Sequence, residues 1–185
     1  LLQRAFDCIG EPTIRRRPLL RGMSARLDSH VGDPDDATRK ASVLLRDARV
    51  GATAHGHALM AKIRGARLMG RYEEARSWAE KGRKISWYDP RLIEIQGEAY
   101  YYLGRNDQSI RLFQEYLSYA PNGSRISIVY WFMGEIYLRQ SRFRHADMAF
   151  STAVHLEPLN SRWWVRLGYA REMAREWRWS LEAYN

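Results

Sequence analysis

The sequence predicts an all-helical fold assembled from stacked antiparallel helix pairs, and three observations carry that prediction. Short segments beginning at Gly70, Gly104, Ser141 and Arg175 resemble one another, and their starts lie 34, 37 and 34 residues apart. Other positions keep the same intervals: Gly134 and Gly168 are 34 apart, as are Phe150 and Tyr184, while Pro121 and Pro158 repeat the interval of 37. Between these marks apolar residues recur every three or four positions, as in Leu92, Ile93, Ile95, Ala99, Tyr100 and Leu103, the spacing of an amphipathic helix. One such pair cannot bury its own apolar surface, so a fixed period of this length implies neighbours that stack.

Residues 1–55 read as an irregular helical region. Pro12 and Pro18 interrupt it, a helix is expected around Leu19 to Leu27, and Asp28–Asp35 reads as a loop too long for a regular repeat. Residues 35–50 read as the second helix of a degenerate repeat, because Ala41, Leu45 and Ala48 precede Ala75, Ala79 and Gly82 by 34 each. Gly51 to Gly56 reads as a boundary between helices. The regular array then covers residues 56–185, in units 56–89, 90–126, 127–160 and an incomplete 161–185. Asp35-Asp36 and Glu73-Glu74 stand where helices start, and Lys81, Arg83 and Lys84 where one ends, as the helix dipole favours. The three extra residues of the 37-residue unit are expected near Asn122-Gly123-Ser124, where turn chemistry is strong. Gly97 and Gly134 are expected where helices cross closely, with Phe113, Phe150 and Tyr184 filling the space between hairpins.

In the third unit Tyr130, Met133, Gly134, Tyr137, Phe143, Ala146, Phe150, Ala153 and Pro158 stand at the large, small and proline positions of the tetratricopeptide repeat (TPR) family. The second unit offers Ile93, Gly97, Tyr100, Gly104, Phe113 and Pro121, and the fourth Trp164, Leu167, Gly168, Ser180 and Tyr184. The first has Gly70, Tyr72 and Ala75, but Ile63 replaces the usual glycine and Trp87 the usual proline. Over residues 56–185 the chain thus resembles that family. The resemblance implies a right-handed superhelical solenoid whose first helices face a concave groove holding a partner's extended peptide or helix. By the repeat register, Met60, Arg64, Arg67; Glu94, Glu98, Tyr101; Trp131, Glu135, Leu138; and Val165, Tyr169, Glu172 are equivalent triplets on that face. The partner-binding residues expected from it are Arg64, Glu94, Glu98, Tyr101, Trp131, Glu135, Arg139, Tyr169 and Glu172, aromatic anchors beside carboxylates. Relatives that clamp a chaperone tail use Lys, Asn and Arg where this chain has Met60, Arg64, Ile95, Ile128 and Phe132, so that role is not expected.

Composition narrows the function classes. The chain has 185 residues, 30 Lys and Arg against 21 Asp and Glu, and a net charge of +9. Only Lys40, Lys62, Lys81 and Lys84 are lysines. The charge is +3 over residues 1–55, +4 over 56–89, zero over 90–160 and +2 over 161–185. A nucleic-acid groove calls for a continuous basic stripe, and Arg15-Arg16-Arg17 is an isolated cluster. The five histidines form no pair three or four apart, the lone Cys8 cannot make an intramolecular disulfide, and no phosphate-loop ending follows Gly51. No metal, no cofactor and no catalysis are expected. No apolar run approaches the length of a membrane span, so the chain reads as soluble, with its compartment open. The reading is a non-catalytic protein-protein interaction scaffold whose partner carries apolar anchors and some positive charge; the alternative is a nucleic-acid-binding or regulatory helical-repeat protein. Trp177, Trp179, Leu181 and Tyr184 lie on a final helix without a polar cap, which implies further chain or self-association through that helix.

Overall fold

Proline, glycine and small residues set where each helix begins, turns and meets its neighbour. The computed structural model describes residues 18–46, 52–86 and 88–185, and all regular structure among them is helical. In order, the helices are α1 (Pro18–Val31), α2 (Pro34–Arg46), α3 (Ala52–Leu68), α4 (Tyr72–Ile85), α5 (Pro90–Tyr102), α6 (Asn106–Tyr119), α7 (Ile126–Arg139), α8 (Phe143–Leu156), α9 (Ser161–Met173) and α10 (Trp177–Tyr184). Cys8, Pro12, Arg15-Arg16-Arg17, Gly51 and Trp87 lie outside the described residues. Among the described residues no helix is long and apolar enough to cross a membrane. The chain divides into two compact units, Leu1–Ala99 and Tyr100–Asn185, and the division falls within α5.

In the first unit α3 packs against α1, α2 and α4, and α1 also meets α2. Two expectations are corrected here. The long loop over Asp28–Asp35 is absent: α1 continues to Val31 and α2 starts at Pro34. Proline suits a first helical position, where its missing N–H would have had no partner. Asp33 Oδ1 accepts the Asp35 N–H at 2.9 Å, so residues that look like helix breakers instead build a helix start. Likewise Gly56 does not mark a boundary but lies inside α3, which begins at Ala52.

The period is visible in the packing. Ala41, Ala75, Ser109, Ala146 and Ser180 follow one another by 34, 34, 37 and 34 residues, and all are buried. Small side chains at these places let helices approach closely. In the second unit a Cβ added to Gly134 would lie 2.7 Å from the Phe150 ring, and one added to Gly168 would lie 2.6 Å from the Tyr184 ring. Residues 56–89 solve the same contact with the sizes exchanged. Ile63 stands in the glycine position and Ala79 in the aromatic one; both are fully buried and belong to one core cluster with Leu59, Ala75 and Leu92. Total volume is conserved while the large residue changes helix, the kind of exchange a core tolerates.

The turn inside each pair is the most regular element. Gly70, Gly104, Ser141 and Arg175 all have positive φ, at 70°, 73°, 56° and 64°. Each N–H donates to the carbonyl three residues back, at 2.9–3.1 Å, and the following N–H donates five residues back, as in Arg71 to Ala66 and Arg142 to Tyr137, both 2.8 Å. This is the Schellman arrangement, which satisfies the orphan carbonyls at a helix end. Glycine is the natural occupant, and the chain uses it in the first two turns only. The three-residue insertion falls in the link 120–125, where Gly123 N–H donates to the Ala120 carbonyl at 3.0 Å.

Candidate functional site

The stripe expected to bind a partner runs along the first helix of each pair, and its members are best described unit by unit. In the first unit the stripe is cationic with buried counter-charges. Glu94 and Glu98 on α5 are 6% and 5% exposed. Arg67 on α3 donates from Nη1 to both Glu98 oxygens, at 3.1 and 2.9 Å. Arg64, one turn earlier, is half-buried, and its guanidinium is pushed down to about 10 by burial first and then by Arg26, Arg67 and Arg91, with Glu94 opposing. Burial disfavours the charged form, and the neighbouring arginines add to that effect.

In the second unit the stripe is aromatic with matched charges. Tyr101 is only 6% exposed. The Arg139 guanidinium sits 4.0 Å from its ring centroid and Nη1 donates to its carbonyl at 3.2 Å. Phe132 and Tyr102 pack against the same ring at 4.9 and 5.0 Å. Burial, with Glu135 adding to it, holds the Tyr101 hydroxyl above the ordinary tyrosine value against the pull of Arg139. Trp131 is half-buried and meets Phe132 edge-on at 5.1 Å, and its indole Nε1 is buried without an acceptor. Glu135 accepts from Arg166 twice, through Nε and through Nη2 at 2.7 Å. Arg166 also lies 5.5 Å from the Tyr169 ring. Glu172 accepts the Tyr184 hydroxyl at 3.1 Å.

The structure therefore gives the nine expected residues three different situations. Glu98, Glu135 and Glu172 are engaged within the chain, and Glu94 is buried. Tyr101 is a core ring lying beneath Arg139. Tyr169, Arg139 and Glu172 are exposed, and Arg64 and Trp131 half so. Arg166 is the residue that the register missed: it lies one place after Val165 and holds Glu135. The signal that finds it is an interval of 31, since Arg67–Glu98 and Glu135–Arg166 share it with reversed polarity. Two stacked first helices bring residues near each other three positions short of a full period, so opposite charges at that interval are candidate bridges.

The helix pairs, the glycine-on-aromatic contacts and the recurring turns can be set beside known structures. The chain is similar to MamA, a TPR-like helical protein, with a TM-score of 0.73 at 15% identity over 90% of this chain and 87% of that one. The fold is TPR-like. Similar values hold for MamA MSR-1 in a C2 form, at TM-score 0.72 and 15% identity over 92% and 93% of the two chains. They hold again for MamA 41-end from Desulfovibrio magneticus RS-1, at 0.74 and 16% over 89% and 91%. At such identities the likeness speaks to the TPR-like architecture and not to the residues of the stripe. No family model matches the sequence, and neither does any curated protein.

Proposed function

We propose that the chain is a non-catalytic protein-interaction scaffold that holds a partner's peptide or helix along the first-helix stripe, chiefly on α9. The observation that carries this reading is an open apolar row. Val165, Tyr169 and Met173, each four residues from the next and so on one face, are 54%, 40% and 41% exposed. Arg166 beside them is fixed by Glu135, so the row is framed by a charge that is already oriented. Apolar side chains with an ordered polar rim are how interfaces concentrate affinity. Because the stripe carboxylates of the second unit have partners within the chain, the apolar anchors, more than any positive charge, are what the partner is expected to supply.

The test is a photo-crosslinking residue placed at 169 and, separately, at Met148, which is 70% exposed on α8. Crosslinked peptides from one recurrent partner at 169 but not at 148 are expected, and Tyr169→Asp with Val165→Asp should remove capture while helicity by circular dichroism stays unchanged. Equal adducts at both sites would overturn the reading, and capture that disappears with nuclease would favour the nucleic-acid alternative. Trp177, Trp179 and Leu181 on α10 are 61%, 52% and 64% exposed, which supports self-association through that helix; a mass that stays monomeric with concentration in light scattering would count against it.

A further inference from the structure

Arg139, the last residue of α7, is exposed, yet its guanidinium is held from two directions. It lies 4.0 Å from the Tyr101 ring centroid, and its Nη1 donates to the Tyr101 carbonyl at 3.2 Å. An arginine stacked on a ring and bonded to the backbone has given up much of its rotamer freedom before anything binds. What these contacts leave over is the Nε–Nη2 edge, which has no partner among the described residues. That edge is a fork that matches a carboxylate, and the same unit shows it in use, since Arg166 gives Nε and Nη2 to Glu135.

The phenol beneath Arg139 adds a second unused group. Tyr101 is 6% exposed, and its hydroxyl has no hydrogen-bond partner among the described residues. A polar group set so deep is normally paired, and this oxygen is not fully buried, so it is open to a ligand's acceptor. Burial raises the hydroxyl above the ordinary tyrosine value, Arg139 pulls it down, Glu135 pushes it up and Arg166 pulls it down, so the three charges surround one oxygen. Two of them offset each other, because Glu135 is taken by Arg166; the charge of Arg139 remains. Arg166 also joins this patch to the open apolar row, lying 5.5 Å from the Tyr169 ring. We propose that the free edge of Arg139 and the Tyr101 hydroxyl bind an acidic side chain, Asp or Glu, of the protein segment held along α9, and so select the partner. The inference rests on the scaffold reading and reverses the charge that the sequence led us to expect of the partner. Nor is it the chaperone-tail clamp, whose positions here hold Met60, Arg64, Ile95, Ile128 and Phe132. A nucleic-acid backbone would call for a run of free cations, and Arg166 is already engaged.

The experiment selects a display library of short random peptides on the full chain, with both peptide ends linked so that no terminal carboxylate is free. Enriched peptides are expected to carry Asp or Glu at a fixed distance from an apolar residue, and selection on Arg139→Glu should replace that acid by Lys or Arg. For the tightest peptide, changing the acid to its amide and Arg139→Gln should each weaken binding roughly three- to tenfold by calorimetry, and the two together little more than either alone. Tyr101→Phe separates the hydroxyl from the packing of the ring. Because the hydroxyl bonds to nothing in the chain, the melting temperature should not move, while the acidic peptide weakens roughly twofold or more and its amide counterpart does not. Enriched peptides without an acidic position, a consensus unchanged on Arg139→Glu, additive losses, or a Tyr101→Phe effect equal for acid and amide would each overturn the proposal. So would enrichment seen only from a parallel library with free carboxy termini, or a mixed-sequence oligonucleotide bound with the same dependence on Arg139. Peptides lost on Tyr169→Asp but indifferent to Arg139 would sink this inference and leave the scaffold reading standing; a library that enriches nothing would count against both.

Discussion

The two units place different chemistry on one register. Positions 64, 98, 135 and 169 are equivalent by the repeat, yet they hold a half-buried arginine, a buried glutamate, a bridged glutamate and an exposed tyrosine. In the first unit arginines crowd one another and their counter-ions are buried; in the second, rings are stacked and each stripe glutamate has a partner within the chain. Both units nevertheless keep a bridge at an interval of 31 and the same buried small residue between paired helices. The lesson is that architecture is held by small residues and turns, while the stripe varies freely. That is the division of labour a repeat fold needs in order to change ligands without changing shape.

The largest test of this division is in the second unit's core. Phe150→Ala should cost about 3–5 kcal/mol by chemical denaturation, and Gly134→Ala about 1–3 kcal/mol from forcing a Cβ onto the Phe150 ring. Gly134→Ile combined with Phe150→Ala copies the Ile63 and Ala79 solution of the first unit and should recover part of the loss; strictly additive costs would break the equivalence between units. Next come the bridges. Glu98→Ala strands Arg67 among other arginines beside a buried site and should cost about 3 kcal/mol. Glu135→Ala should cost less, about 1 kcal/mol, since Arg166 is 37% exposed and screened by solvent. Equal losses would mean that the electrostatic contrast between the units is an illusion. Ser141→Gly and Arg175→Gly should each add about 0.5–1 kcal/mol by removing left-handed strain, seen as a higher melting temperature. The smallest effect concerns pH. Because His57 is held below the ordinary value of about 6.5, the unfolded chain binds the extra proton first, and stability should fall as pH drops from about 6.5 through the lower folded midpoint. His57→Gln should remove that slope.

Much of this fold is legible in the sequence because its determinants are local and repeated. The interval of 34 alone pairs Gly134 with Gly168 and Phe150 with Tyr184, and the contact between them follows from size. Ile63 looked like a defect in the first repeat because its compensation, Ala79, sits on the other helix and is read only when both positions are compared. Asp33-Pro34 misleads for a different reason: the residues that interrupt a helix are also those that start one, and only the neighbouring chain decides. The site was less legible. Tyr101 has the same side chain as Tyr169, but Arg139 at 4.0 Å and Phe132 at 4.9 Å bury one ring, while Arg166, 5.5 Å from the other, leaves it 40% exposed. Exposure depends on neighbours from other helices, and no spacing rule within one helix reports it.

The four Schellman turns also bear on how the chain reaches its structure. Each closes between helices adjacent in sequence, through two backbone hydrogen bonds that need no distant residue. Contacts of such short range are fast to form, and chains built from them fold without first closing long loops. Residues 56–185 thus contain four independent places where a hairpin can start, and a slow turn at Ser141 or Arg175 delays one of them while the others proceed. A chain that can begin anywhere is tolerant of local damage in the order of its folding, even where its final stability is not.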